Sequence, residues 1–350
     1  MRNLYTASKQ YFTRPKDERF ETLDDMRAYL VDRQEKSRLF NFYPEKVKFE
    51  STDTDLFLST GFGDLKISNW AFEQLKGVGL DTQMISRLKP STAALVLNEL
   101  FDPEQLTDGR FQRNLLSYDD TVLRAFIGRK YQTLWDAEVV QWVQEITANG
   151  NWFRPKSRNE DKKGPAGLYA GQQDMFIFMV DGGKTFEDGN DGGTGRGFFV
   201  WNTEVYGVPF GFKSFLFTEI CGNHIVWNAT EEQGFTMRHF GRGFLAESKK
   251  ALFEFAHKYM NSAPTEQKAI ANARQKVFST TREDLAANLK LFGIGPKMVT
   301  HVQNYLQNQE LEPTVWNVVG GLTRASQNTE FVTARNKIDE AAGKILATAL

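Results

Sequence analysis

The chain reads as an α+β protein, with a central antiparallel, aromatic-rich β-sheet flanked by N-terminal and C-terminal helical segments. Three observations predict this. Between residues 174 and 230, four runs dense in β-branched and aromatic residues (DMFIFMVD, RGFFVWNTEVYG, FGFKSFLFTEIC and NHIVWNAT) are separated by glycine-containing stretches. That is the pattern of a meander or stacked hairpins. From about residue 244 onward, apolar residues recur at helical spacing in six successive segments. No repeat of fixed period joins the parts, so a layered α+β architecture is the simplest arrangement.

The elements follow in order. Residues 22–41, TLDDMRAYLVDRQEKSRLFN, place Leu23, Met26, Leu30 and Leu39 near helical spacing behind Thr22. Asp24 and Asp25 stand where the helix dipole favours acids. KVKFESTDTDLFLST is strand-like. Residues 67–100 read as short helices, with Asn69 and Ser91 as caps, Gly77 and Gly79 as stops and Pro90 as a break. TVLRAFIG alternates as a strand, and LWDAEVVQWVQEITANG as a helix. The paired acids Asp119-Asp120 fall at an element start, where capping explains them. These elements divide the chain into a helix-and-strand extension (1–65), a small helical unit (66–110), a β-rich domain (111–245) and a helical region (246–350).

The bulk numbers exclude several classes. The 350 residues carry a formal net charge of −1, with 41% hydrophobic, 25% charged and 13% aromatic residues. A near-zero charge gives no global pull toward nucleic acid or membrane, so any electrostatic footprint must be local. The single cysteine precludes an internal disulfide and points to a reducing, cytoplasmic setting. The N-terminal stretch has no apolar core, so no signal peptide is expected. No run approaches the length of a membrane span. No cofactor motif is visible: the glycine-rich stretch 181–197 lacks the GK[ST] ending of a phosphate-binding loop and joins two strands. It is expected to be a long hairpin tip. Asp181, Glu187, Asp188 and Asp191 are an alternative oxygen set for calcium, without EF-hand spacing.

Cys221 and His224 straddle Gly222-Asn223, a turn-forming dipeptide. A two-residue hairpin there would make them cross-strand neighbours. The pair is read as a turn, because a catalytic dyad lacks an orienting third group and a metal site lacks further ligands.

Three basic clusters lie beside aromatic residues. They are Arg124, Arg129 and Lys130 in LRAFIGRKY; Arg154, Lys156, Arg158, Lys162 and Lys163 in FRPKSRNEDKKG; and Arg238 and Arg242, around His239, in MRHFGRG. Cations that track phosphates and rings that stack on bases suit single-stranded nucleic acid. A solvated charged face is the alternative. LKLFGIGPKMVTHVQNYL resembles the helix-hairpin-helix motif, with Phe292-Gly293-Ile294-Gly295 as its turn and Lys297 just inside the second helix. Such a turn meets a phosphate oxygen through backbone N–H groups, without reading bases. The same glycines also serve a purely structural corner.

Residues 195–228 resemble the phage/plasmid-like family that shares domain of unknown function 932. The resemblance rests on Asn202-Thr203-Glu204-Val205-Tyr206-Gly207 and Cys221-Gly222-Asn223-His224. This chain departs from the family pattern at Thr203, at the inserted Tyr206 and at His224, where glycine is usual. Upstream, ISNWAFEQLKGVGL and LSYDDTVLRAFIGRKYQTLWDAEVVQWV are similar to family stretches. Downstream, MRHFGRG and LTRASQ with AAGKIL extend the likeness over residues 65–345. It implies origin in a phage, prophage or plasmid and supplies no catalytic residues.

Together these readings predict a non-enzymatic, mobile-element nucleic-acid-binding protein, an oligomeric single-strand binding or annealing factor. The comparison with single-strand annealing proteins rests on fold analogy. The alternatives are an assembly protein of the element, a protein that engages a host target in anti-defence, and an enzyme using Cys221 and His224 or an aspartate-bound metal.

Overall fold

The computed structural model describes residues 14–349 except 42, 44–45, 79, 103–112, 149, 151, 156–163, 183–193, 219–223, 227–233, 262–264 and 328–331. Within these residues the fold is α+β, as expected, but it is built on two sheets rather than one.

The first sheet has the strand order β1-β5-β6-β4-β3-β2. Its strands are β1 (Ser37–Asn41), β2 (Lys48–Ser51), β3 (Leu56–Thr60), β4 (Gly63–Ile67), β5 (Arg113–Tyr118) and β6 (Val122–Gly128). All neighbours are antiparallel except β4 and β6, which run parallel with Lys66 opposite Val122. The sheet therefore draws on residues from both sides of the boundary placed at 110. Period-2 alternation separates its faces. Phe49, Leu58, Leu65, Leu115, Leu123 and Phe126 form a core with the short helices α2 (Asn69–Gln74), α3 (Thr82–Ile85) and α4 (Pro90–Leu100). Leu116, Ala125 and Ile127 pack on the other side around Val205.

Helix α1 (Leu23–Glu35) starts as the sequence predicts, with the Thr22 hydroxyl accepting from the Asp25 N–H at 3.0 Å. It ends earlier than expected. Ser37–Asn41 is an edge strand, and Leu39, expected on the helix's apolar face, is half exposed. Two of the proposed caps also shift: Ser68, not Asn69, caps α2, and Ser91 lies inside α4 behind Pro90. Asp119 and Asp120 turn the β5–β6 hairpin, both at positive φ, where aspartate is better tolerated than most residues.

The second sheet is antiparallel and carries the predicted meander β9 (Met175–Asp181), β10 (Thr194–Asn202) and β11 (Phe210–Thr218). The short strands β7 (Trp152–Phe153) and β8 (Leu168–Ala170) pair with β9, while β12 (His224–Val226) and β13 (Gly234–Met237) pair with β11. Both faces are buried. Met175, Ile177, Phe198, Val200, Phe210 and Phe212 pack against α1, α5 (Asp136–Thr147) and α6 (Phe244–Asn261). Phe176, Phe178, Phe199, Trp201 and Phe215 form a separate aromatic core on the reverse face.

The C-terminal helices α7 (Thr265–Gln275), α8 (Arg282–Leu291), α9 (Pro296–Asn308), α10 (Val315–Gln327) and α11 (Val332–Ala347) share a core of their own, centred on Leu289, Val302, Leu322 and Ile345. Among the described residues, no helix is long and apolar enough to cross a membrane.

Candidate nucleic-acid interface

Strand β6 ends at Gly128, whose carbonyl accepts from the Tyr131 N–H at 2.8 Å and closes a turn over Arg129-Lys130. The chain then makes one isolated antiparallel bridge, Tyr131 to Phe240, with the Gln132 N–H donating to the His239 carbonyl at 3.0 Å. Two basic clusters distant in sequence are thereby placed side by side. Arg129 and Lys130 lie on one side of the bridge, Arg238 and Arg242 on the other, and all four are exposed. The Phe240 ring between them is 63% exposed. Gly241, at φ +98°, turns the chain after it, a conformation that a side chain at this position would strain.

The floor of this patch is closely packed. The His239 ring stacks on Tyr131 at 4.8 Å and 4°, and the tilted Phe244 ring lies 4.7 Å from it. Its Nδ1 stands 3.1 Å from the Gln132 carbonyl, so the proton belongs on Nδ1. Burial, only partly offset by that bond, lowers the His239 pKa to about 4, so it is neutral near pH 7. The Tyr131 hydroxyl donates to the Thr203 carbonyl at 2.7 Å, and burial pushes its pKa up. Tyr206 packs edge-on against Tyr131 and is 57% exposed. Its φ of +59° is a strained conformation for an aromatic residue. The patch therefore offers four exposed cations and two exposed rings on an ordered base.

The other basic residues proposed from sequence fare differently. Arg124 is a correction: it is only 9% exposed, and its Nη2 donates to the Glu204 carboxylate at 2.8 Å. Arg124 falls at the β5–β6 bulge, where the pairing steps from Leu116–Ala125 to Ser117–Leu123, and its guanidinium is turned to Glu204 rather than to the exposed patch. Arg154 is largely committed within the protein, with its Nε donating to the Glu21 carbonyl at 2.8 Å and its Nη2 paired with the Glu21 carboxylate. Lys156, Arg158, Lys162 and Lys163 lie outside the described residues, as does the glycine-rich segment 183–193. Nor do the described sheet aromatics supply a stacking face, since Phe176, Phe178, Phe198, Phe199, Trp201, Phe210, Phe212 and Phe215 fill the two cores. Among the described residues, no three His, Cys, Asp or Glu side chains gather as a metal site.

The proposed opposition of Cys221 and His224 is also corrected. The β11–β12 register sets His224 against Thr218, and Cys221 lies outside the described residues. The helix-hairpin-helix segment does fold as a helix, a tight turn and a helix. Thr281 caps α8, Gly293 takes φ +78°, and the Ile294 N–H returns to the Leu289 carbonyl at 3.1 Å. Ile294 is buried, while Gly293, Gly295 and Lys297 are exposed at the start of α9.

A buried ion network that the sequence reading did not single out lies next to the patch. Glu204 Oε2 accepts from Arg124 at 2.8 Å and from Arg33 Nη2 at 3.1 Å, and Oε1 accepts from the Asp136 N–H at 3.0 Å. Arg33 Nη2 also donates to Asp136 Oδ2 at 2.7 Å, while Asn202 Nδ2 donates to Oδ1 at 2.7 Å. Burial and the neighbouring Glu204 charge raise the Asp136 pKa to about 7. For Glu204, burial acts upward, but Arg33 and Arg124 outweigh it and hold the carboxyl below its usual range. Asn202-Thr203-Glu204-Val205-Tyr206 thus ties α1, α5 and β6 together, with the Val205 carbonyl accepting from Trp70 at 2.9 Å and Gln74 at 2.8 Å. In the sequence Asn202-Thr203-Glu204-Val205 stands out only as a polar step at the end of an aromatic run, which marks the position but not its burial.

No protein-family model, curated protein or solved structure matches the chain.

Proposed function

We propose that the chain is a non-enzymatic nucleic-acid-binding protein that holds a single strand across the patch at the Tyr131–Phe240 bridge. The observation that carries this reading is the convergence of Arg129 and Lys130 with Arg238 and Arg242 around the exposed Phe240 ring. Cations spaced along a groove follow phosphates, and an exposed ring stacks on any base, so the binding is tolerant of sequence. Tyr206, packed edge-on against Tyr131, supplies a second exposed ring. The α8–α9 turn is a further phosphate contact, where exposed Gly293, Gly295 and Lys297 sit at a helix N-terminus. The reading includes a phage or plasmid origin and an annealing role in which several copies share one strand.

Fluorescence anisotropy of a labelled single-stranded oligonucleotide at about 50 and 200 mM salt tests the reading, because phosphate-driven binding changes steeply over that range. Micromolar or tighter binding that weakens with salt is expected. The double variant Arg238→Ala/Arg242→Ala should make the log–log salt slope shallower by about 1.4, at about 0.7 per phosphate contact. Absence of binding at the lower salt would overturn the proposal and favour assembly or a protein partner. Sedimentation with and without oligonucleotide tests the shared-strand role.

A further inference from the structure

A cleft of about 290 Å³ opens between α1, the β5–β6 hairpin and the turn between β8 and β9. Arg33 and Arg124 line it together with Tyr29, Tyr118, Ser68 and Gln172. Both arginines are more than nine-tenths buried. Their partners accept from only part of each guanidinium. Arg33 donates from Nη1 to the Gly171 carbonyl and from Nη2 to the two carboxylates, and its buried Nε has no partner. Arg124 donates to the Ser37 hydroxyl at 3.2 Å and to Glu204. A guanidinium carries more N–H donors than these acceptors use.

The charge balance points the same way. Two arginines face two carboxylates, Glu204 and Asp136, and burial together with Glu204 brings the Asp136 pKa to about 7. Near neutrality, then, the network carries a partial excess of positive charge beside an open cleft. Tyr29 stands at the cleft with the Arg33 guanidinium 5.8 Å from its ring centre, and Tyr118 contributes a second phenol ring. The volume suits a small molecule rather than a strand.

We propose that this cleft binds a small phosphate-bearing molecule, its phosphate held by Arg33 and Arg124 and any organic body seated between Tyr29 and Tyr118. Guanidinium forks match the geometry of phosphate oxygens, and both arginines line the cleft with N–H groups beyond those their protein partners use. The site is separate from the proposed strand-binding patch and does not depend on it.

Isothermal titration of the full chain in low-chloride buffer, with inorganic phosphate and separately with a nucleoside 5′-monophosphate, tests the proposal. Saturable one-to-one binding of either probe is expected. Equal affinity would identify free phosphate as the ligand, and tighter binding of the monophosphate an organic phosphate. Replacing Arg33 or Arg124 would strand buried acids, so the variant of choice is Gln172→Glu, an exposed, near-isosteric change at the cleft. It should weaken binding about tenfold through charge repulsion while leaving the melting temperature unchanged. No heat with either probe, or binding indifferent to Gln172→Glu, would overturn the assignment. Loss of oligonucleotide binding alone would not affect it.

Discussion

Arg124 and Arg129 lie five residues apart at the two ends of one strand–turn unit, yet they belong to different chemistries. Arg124 lies in a buried network with Arg33, Asp136 and Glu204, where each charge is matched by a partner within about hydrogen-bond distance. Arg129 is exposed in the turn that follows, beside Lys130, Arg238 and Arg242 around an uncovered phenylalanine. Burial decides the difference. A guanidinium out of water must be paired within the protein and is out of reach of a polymer strand, whereas one left in water keeps its charge for such a partner. Sequence composition around the two residues is nearly the same, so proximity to aromatics is a poor guide until the solvent boundary is known.

This contrast has measurable consequences. The largest should come from Glu204→Ala, which leaves two arginines buried against one remaining acid. A loss of about 3–5 kcal/mol in chemical denaturation is expected, as for other broken buried pairs. A loss below about 1 kcal/mol, the range of an exposed pair, would mean that the network is solvated.

The pH dependence separates the regions by sign. Asp136 has a folded pKa raised from 3.8 to about 7, so its stabilising contribution is present below the ordinary value and is lost as pH rises through about 7. His239, under the patch, has a folded pKa depressed from 6.5 to about 4. Its contribution is present above the ordinary value and is lost as pH falls through about 4. Asp136→Asn should therefore gain on the parent protein as pH rises from about 4 to 7, by up to about 1.4 kcal/mol per pH unit. His239→Gln should gain on the parent as pH falls from about 6.5 to 4. Denaturation curves across this range would show two slopes of opposite sign; parallel slopes would remove the distinction.

Smaller effects belong to the exposed side. Phe240→Ala should cost about 1–3 kcal/mol of single-strand binding, the value of one stacked base, with an unchanged melting temperature. Arg129→Ala should alter stability by no more than about 0.5 kcal/mol, because it removes no buried contact. If Arg129→Ala destabilised the fold as strongly as a buried-pair variant, the two regions would not differ in kind.

Much of the fold was legible where local chemistry governs it. The Thr22 cap, the β9–β11 meander and the successive C-terminal helices all follow from residues close in the chain. The glycine turn of the α8–α9 hairpin was equally readable, since Gly293 takes the positive φ that such a turn requires. What was not legible depends on distant partners. Ser37–Asn41 carries no clear alternation and becomes a strand only because β5 pairs with it. The Tyr131–Phe240 bridge, which assembles the candidate interface, joins residues more than a hundred positions apart. Glu204 resembles any polar residue in a strand-to-loop transition until Arg33 and Arg124 converge on it.

The β1–β5 pairing also bears on how the protein is made. During translation β1 has no complete ladder partner until β5, from Asn114 opposite Asn41 to Tyr118 opposite Ser37, has left the ribosome. At about 5–20 residues per second, the intervening stretch takes roughly 4–16 s to synthesise. For that interval the strand presents unpaired backbone groups beside the half-exposed Leu39. The nascent first sheet is therefore the part of this chain with most to gain from a chaperone, whereas the C-terminal helices, built from neighbouring segments, complete their core almost as they emerge.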